Sequence, residues 1–364
     1  MTRRPGPAAI ALLGLTLTSL AGQAKKPLID PFPLRFPLAE AGSLEIEGHV
    51  VGQPRAGDGI VYFTTREGYL TAVITSVRAV WSRFRAEHPM SKSPVIAGDT
   101  VLLRDEADIF YVLSNRGRGT VAKYELDPGC VATTPIRLVE GGFVFGTADG
   151  RIISLEAWEY RPPGPAAEVT CGPVPVWSDG GLKSMLFGRS DGLVMAVSAK
   201  GQPLWEFRSE GAIHAEPVLD RGRVYFGTAE RMFYCLDATT GKKVWSRRLQ
   251  GAALHPAVVG DGIVAVAASN SVVYRLSARG GSIISWEAIP SRIVHEPASA
   301  GPLVLIAAAG PTLIALDLRS GKRAGQYETS GALVAGAVWS PPYVVLFVED
   351  AESGRQRIVF LRSR

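Results

Sequence analysis

The chain has 364 residues, 20% of them charged, with a net charge of +5 at neutral pH. That positive balance is small and scattered, which argues against a nucleic-acid surface, where basic residues concentrate on one face among aromatics. A 46% hydrophobic content and 40 glycines exclude a disordered chain and suit a globular fold with many tight turns.

The first residues read as an export signal. Arg3 and Arg4 precede an apolar stretch over residues 8–21 that is interrupted only by Thr16, Thr18 and Ser19. It is too short to span a bilayer comfortably, and small residues permit cleavage after Ala21 or after Ala24. The competing reading is an uncleaved anchor. Leu20-Ala21-Gly22 is followed by Gln23 and not by cysteine, so there is no thiol to acylate. The expectation is a signal peptide over residues 1–24, an N-terminal extension over 25–42 and one domain over 43–364. The mature protein is expected to be periplasmic or secreted, monomeric and not stably inserted in a membrane.

From there the chain repeats one phrase. Pro54, Pro94, Pro135, Pro175, Pro217, Pro256, Pro297 and Ala337 each lead into a strand, at spacings of 40, 41, 40, 42, 39, 41 and 40 residues. A period near forty with several strands per unit predicts an all-β, eight-bladed β-propeller of four-stranded antiparallel blades. The fifth repeat is the clearest. It predicts strands over 217–219, 223–227, 232–237 and 243–248, separated by turns rich in Gly, Asp and Thr. Residues 43–50 precede the first anchor and have no blade of their own. The eighth repeat has strands around 332–339, 343–348 and 356–361 and then the sequence ends. The N-terminal strand is therefore expected to close the ring beside residues 356–361, which removes two open sheet edges.

Several landmarks recur in step with the blades. Trp81, Trp205, Trp245 and Trp286 fall late in their repeats, on the fourth strand, and are expected to wedge between blades. Cys130 and Cys171 lie 41 residues apart, at equivalent places in neighbouring blades. A bridge between them needs Cα atoms within about 7 Å, so bridged and free forms both stay open. Cys235 sits in an apolar strand and reads as a small buried hydrophobe. Residues 116–135 and 161–175 are irregular. The second is rich in proline and is read as a stiff partner contact or as a connection without a role.

At Leu236-Asp237-Ala238-Thr239-Thr240-Gly241-Lys242-Lys243-Val244-Trp245 the chain resembles the repeat of pyrroloquinoline quinone (PQQ)-like β-propellers. Partial copies stand at 315–322 and at Ala196-Val197-Ser198 with Trp205. The resemblance implies the fold and leaves two functional branches. The quinoprotein dehydrogenases hold the quinone on the propeller axis with a metal ion, acidic ligands and a catalytic carboxylate. The alcohol dehydrogenases among them add a disulfide between adjacent cysteines. This sequence has no adjacent cysteines and no evident calcium-ligand constellation, so neither PQQ nor a catalytic residue is expected. The other branch, non-enzymatic and BamB-like, implies an exported scaffold with protein partners in the cell envelope, in the setting of outer-membrane protein assembly. The alternative is a PQQ- or metal-dependent oxidoreductase.

One constellation stands apart from the scaffold. His214, His255 and His295 precede consecutive anchors at spacings of 41 and 40 residues, with Glu216 and Glu296 beside two of them. Such residues belong near one mouth of the channel, where imidazoles and carboxylates suit a transition metal or an anion. The competing reading is a wet channel entrance that tolerates polar residues.

Overall fold

The computed structural model describes residues 33–364 apart from 115–118, 128, 134–135, 138–141, 156 and 179–180. The signal segment, most of the extension and the anchor Pro135 lie outside the described residues. The described chain forms eight antiparallel sheets in sequence order, each following a simple inner-to-outer path, which is a closed propeller. In blade 5 the strands are Val218–Asp220, Arg223–Gly227, Met232–Asp237 and Lys243–Arg248. The second and third strands are apolar on both faces because each is sandwiched between two neighbouring blades. Val224, Tyr225, Phe226, Phe233, Tyr234 and Cys235 are all buried. The outer strand is largely exposed and carries Lys243, Arg247 and Arg248. This is the pattern of a strand covered on both faces giving way to a solvated edge.

The hairpins explain the repeated glycines. Asp58-Gly59, Arg221-Gly222 and Asp261-Gly262 join first to second strands with φ of 51° and 75°, 45° and 75°, and 51° and 74°. Two successive residues in the left-handed region match the tight hairpin turn that follows strand twist. The Asp of the repeat motif holds the next turn. Asp237 Oδ1 accepts the backbone N–H of Thr240 at 2.8 Å, and Asp317 Oδ1 that of Ser320 at 2.6 Å. Hydrogen bonds from the Thr240 and Ser320 side chains, together with these backbone bonds, lower the pKa of both carboxyls.

Closure occurs as expected, with an earlier strand. Leu38–Glu45, not 43–50, pairs antiparallel with Gln356–Ser363, from Leu38 opposite Ser363 to Glu45 opposite Arg357. Val50 already begins the inner strand of blade 1, Val50–Gly57. Residues 46–49 carry the chain from the outer strand of blade 8 to the axis, turning at Gly48 (φ 94°). Buried Gln356 fastens this crossing by accepting the Val50 N–H at 2.8 Å. The inner strand of blade 8 is split into Ala332–Leu333 and Val338–Ser340.

The tryptophans divide. Trp205 and Trp245 are buried wedges whose indole N–H groups donate across the gap to Ala238 O (3.1 Å) and Ala278 O (3.0 Å) of the next blade. Their rings lie over Gly241 and Gly281, where any side chain would collide. Trp158 does the same toward Ala199 O at 3.1 Å, over Gly201. Trp81 and Trp286, by contrast, are 40% and 63% exposed and do not wedge. Register explains the difference. Trp245 stands opposite Cys235, but the equivalent places in blades 6 and 1 hold Ser285, opposite Arg275, and Ser82, opposite Ala72. A tryptophan one residue away along a strand faces the other side.

Other groups take over in some of those gaps. Between blades 6 and 7, Arg275 is buried, donates through Nε to Leu318 O at 2.9 Å and lies over Gly321. Blade 7 has Gly325 at the wedge position, opposite Ala315, and Phe36 fills that space from outside the repeat.

Candidate functional site: the central channel

The inner strands and the segments leading into them surround the axis. Ile213, Ala253, Ile293 and Leu333 hold one equivalent place in blades 5 to 8, at a constant spacing of 40 residues, and all are buried. The next residue in each blade is more open, and two of the four, His214 and Leu254, border the central cavity. Leu254 and Val294 are 40% and 41% exposed, His214 is exposed and Val334 is half-buried. One position further come His255 and His295. The structure therefore sets His214 one place out of register with the other two.

His255 and His295 are tied to the scaffold. The Nε2 of His295 lies 3.1 Å from Leu333 O, in the next blade. His255 makes the equivalent bond to the Ile293 backbone. Burial holds both imidazoles below their ordinary pKa, partly opposed by these backbone bonds. A neutral ring donating one N–H across a blade gap is a structural cross-link. Thr170 plays a similar part nearer the start of the chain, donating to Ile213 O. Among the described residues, no three His, Cys, Asp or Glu side chains are grouped to hold a metal ion.

The carboxylates meet partners that the histidine pattern did not reveal. Arg55 Nη1 of blade 1 donates to Glu296 Oε2 of blade 7 at 2.9 Å. About a third of each side chain is exposed, so water screens the pair and its worth is about 0–1 kcal/mol. Glu216 is accessible to channel water yet surrounded by protein. Burial pushes its pKa up, Arg55 opposes this, and Glu296 adds to it. Lys92 contributes a cation whose pKa is lowered by burial and by Arg104, and raised by Glu168. Together these residues border a cavity of about 550 Å³ that also touches Thr133, Thr170 and Leu254. Lys92 stands two residues before Pro94, as His295 stands before Pro297, so phase along the repeat could have identified it. Arg55 follows its anchor Pro54 and breaks that phase.

The remaining candidates are scaffold. Cys130, Cys171 and Cys235 are all free. Burial pushes the Cys171 thiol up to about 12 and the Cys235 thiol up to about 11, so neither is a nucleophile near neutral pH. The proline-rich stretch is shorter than its sequence suggests, because Pro173 and Pro175 lie in the strand Val169–Ser178. Its remainder is fastened by buried Arg189, which donates to Pro165 O at 2.7 Å. No described helix is long and apolar enough to cross a membrane.

Comparison with known proteins supports the architecture. Residues 190–353 match the family model described as outer membrane protein assembly factor BamB. No curated protein matches the sequence. Among solved structures, the computationally designed Ika8 protein is 17% identical with a TM-score of 0.68, over 87% of this chain and 98% of that one. BamB from Moraxella catarrhalis is 14% identical with a TM-score of 0.52, over 89% and 98%. Quinohemoprotein alcohol dehydrogenase from Comamonas testosteroni is 12% identical with a TM-score of 0.68, over 89% and 76%. At such identities the likeness shows a shared fold, and a propeller hosts many functions. With its Asp-x-x-Thr/Ser-Gly turns at 237–241 and 317–321, its wedge tryptophans and a family model matching residues 190–353, the chain is similar to the PQQ-like β-propellers.

Proposed function

We propose that this protein is a non-enzymatic, protein-binding scaffold of the cell envelope, and that it engages its partner at the channel mouth. The observation that carries this is the pair of exposed apolar residues Leu254 and Val294 at equivalent places in two consecutive blades, beside the Arg55–Glu296 pair. Exposed apolar residues grouped within a polar border are the anatomy of a protein-binding patch. The family match described as BamB covers the blades that carry this pair, and the N-terminal signal pattern agrees with an envelope location. A role in outer-membrane protein assembly is the specific setting this suggests.

A photo-crosslinking amino acid at position 254 tests the reading in the native envelope, with position 204 on an outer strand as the control. Partner cross-links are expected at 254, with loss in the Leu254→Glu, Val294→Glu variant at unchanged circular dichroism. Equal labelling at both positions would rule out the mouth. The shared fold with a quinohemoprotein dehydrogenase motivates the oxidoreductase alternative. The donor set in the channel speaks against it, because Glu296 is engaged by Arg55 and both half-buried histidines are engaged by backbone. Reconstitution with PQQ and calcium, followed by absorbance and dye reduction, separates the two readings.

A further inference from the structure

At the channel mouth two carboxylates share one guanidinium. Burial disfavours the charge on Glu216 of blade 5, Arg55 of blade 1 favours it, and Glu296 of blade 7 disfavours it. Arg55 is nonetheless committed to Glu296, at 2.9 Å, and Glu216 forms no ion pair among the described residues. Two imidazoles stand beside this cluster. His255 of blade 6 feels the charge of Glu296, and His295, next to Glu296 in the chain, feels His255. Each ring is fastened to the following blade, His255 to the Ile293 backbone and His295 through Nε2 to Leu333 O at 3.1 Å. A carbonyl only accepts, so Nε2 of His295 carries the proton of the neutral ring and Nδ1 is left to take up a second. Both rings are half-buried, so water reaches them.

We propose that His255 is a proton-operated switch of the channel mouth: when its ring becomes cationic, Glu296 turns from Arg55 to His255, and Arg55 turns to Glu216. The proton comes from solvent and adds one cation, so two carboxylates then face two cations. The Arg55–Glu296 pair is about one-third exposed on both sides, hence screened and weak, and a new cation beside Glu296 outweighs it. Blades 1 and 5 are opposite in a ring of eight, so the new Arg55–Glu216 pair bars the channel on acidification. Burial opposes the switch by holding both imidazoles below their ordinary pKa. Glu296 offsets part of this for His255, whereas His255 adds to it for His295. His255 therefore takes its proton first, and His295 stays a neutral cross-link. His214 and Lys92 also border the cavity, and neither is among the charges that act on His255. The switch needs no partner and is independent of the scaffold reading above.

The test is NMR of the full-length protein from about pH 4 to about pH 8, following the Cε1–H signals of His255 and His295 and the Nε–H of Arg55. The expected result is a His255 midpoint below about 6.5, an Arg55 transition with that same midpoint, and a His295 midpoint lower still. His255→Gln keeps an N–H donor for Ile293 but cannot titrate. It should remove the Arg55 transition and raise the His295 midpoint, because the neighbouring charge is gone. Glu296→Gln serves if that variant does not fold: the His255 midpoint should fall and Arg55 should show no transition there. An Arg55 signal that stays flat while wild-type His255 titrates would overturn the switch, as would a His255 midpoint unchanged in Glu296→Gln. An Arg55 transition kept in His255→Gln and lost in Glu216→Gln would overturn it in favour of simple titration of the Glu216 carboxyl.

Discussion

The ring is held together by different chemistry at its two radii. Toward the rim, neighbouring blades meet through buried aromatic wedges such as Trp205 and Trp245, each adding one hydrogen bond to a large apolar contact. Toward the axis they meet through polar links: His295 to Leu333 O, Thr170 to Ile213 O, Gln53 to the Gly336 N–H, and Arg55 to Glu296. Two of the inner contacts, those of His295 and of Arg55 with Glu296, are partly exposed and titratable, whereas the outer wedges are dry. Stability is therefore expected to come mainly from the rim, leaving the axis free to carry charge that a packed core would not tolerate.

The largest effect should follow removal of a wedge. Trp245→Ala leaves a cavity between blades 5 and 6 and an unpaired Ala278 carbonyl. It should cost about 3–5 kcal/mol, read by urea unfolding. A loss below about 1 kcal/mol would mean that the rim is not the main support. Arg275 is the informative exception, a polar group doing the work of a wedge. Arg275→Ala strands the Leu318 and Arg319 carbonyls and should cost about 1–3 kcal/mol. Adding Ser285→Trp places an indole at the regular wedge position, opposite residue 275, and should recover much of that loss. Simple additivity of the two changes would show that the gap between blades 6 and 7 differs in shape from its neighbours.

What the sequence disclosed follows the same division. The blade count, the hairpins and the strands of blade 5 were legible because turn residues and apolar runs are local signals with a fixed period. Ring closure was also legible, from a strand without a blade and a blade without a strand. Its bounds were not, because Ser43-Leu44-Glu45 and Val50-Val51 are equally strand-like and only the crossing at Gly48 separates them. The tryptophans misled at Trp81 and Trp286 for a geometric reason. Spacing good to one residue identifies a strand, but the face a side chain takes changes with every residue. The same limit applied to His214. Arg275 and Phe36 were invisible as wedges because they occupy the gap from a third strand and from outside the repeat, which no fourth-strand pattern encodes. Arg55 meets Glu296 across 241 residues of sequence, and only closure of the ring brings them together.

The smallest effect tests the axis. Burial raises the pKa of Glu216, with Glu296 adding to the shift and Arg55 opposing it. A carboxyl raised in the folded state binds more protons folded than unfolded. The fold is therefore favoured while this group is protonated, and loses that advantage as pH rises from the ordinary carboxylate range through the raised value. Glu216→Gln abolishes the charge and should make the protein more stable than wild type at neutral pH. The gain should shrink on acidification and vanish near about pH 3, where the wild-type carboxyl is protonated in both states. His255 and His295 act in the opposite sense. Their depressed pKa values favour the fold above the ordinary imidazole value and disfavour it as pH falls, but this contribution is common to both proteins and cancels in the difference. The comparison needs only Tm of the two proteins from about pH 3 to about pH 8. A Gln variant less stable at neutral pH would mean that Glu216 is held ionised by Arg55, and that the axis, like the rim, contributes to holding the ring together.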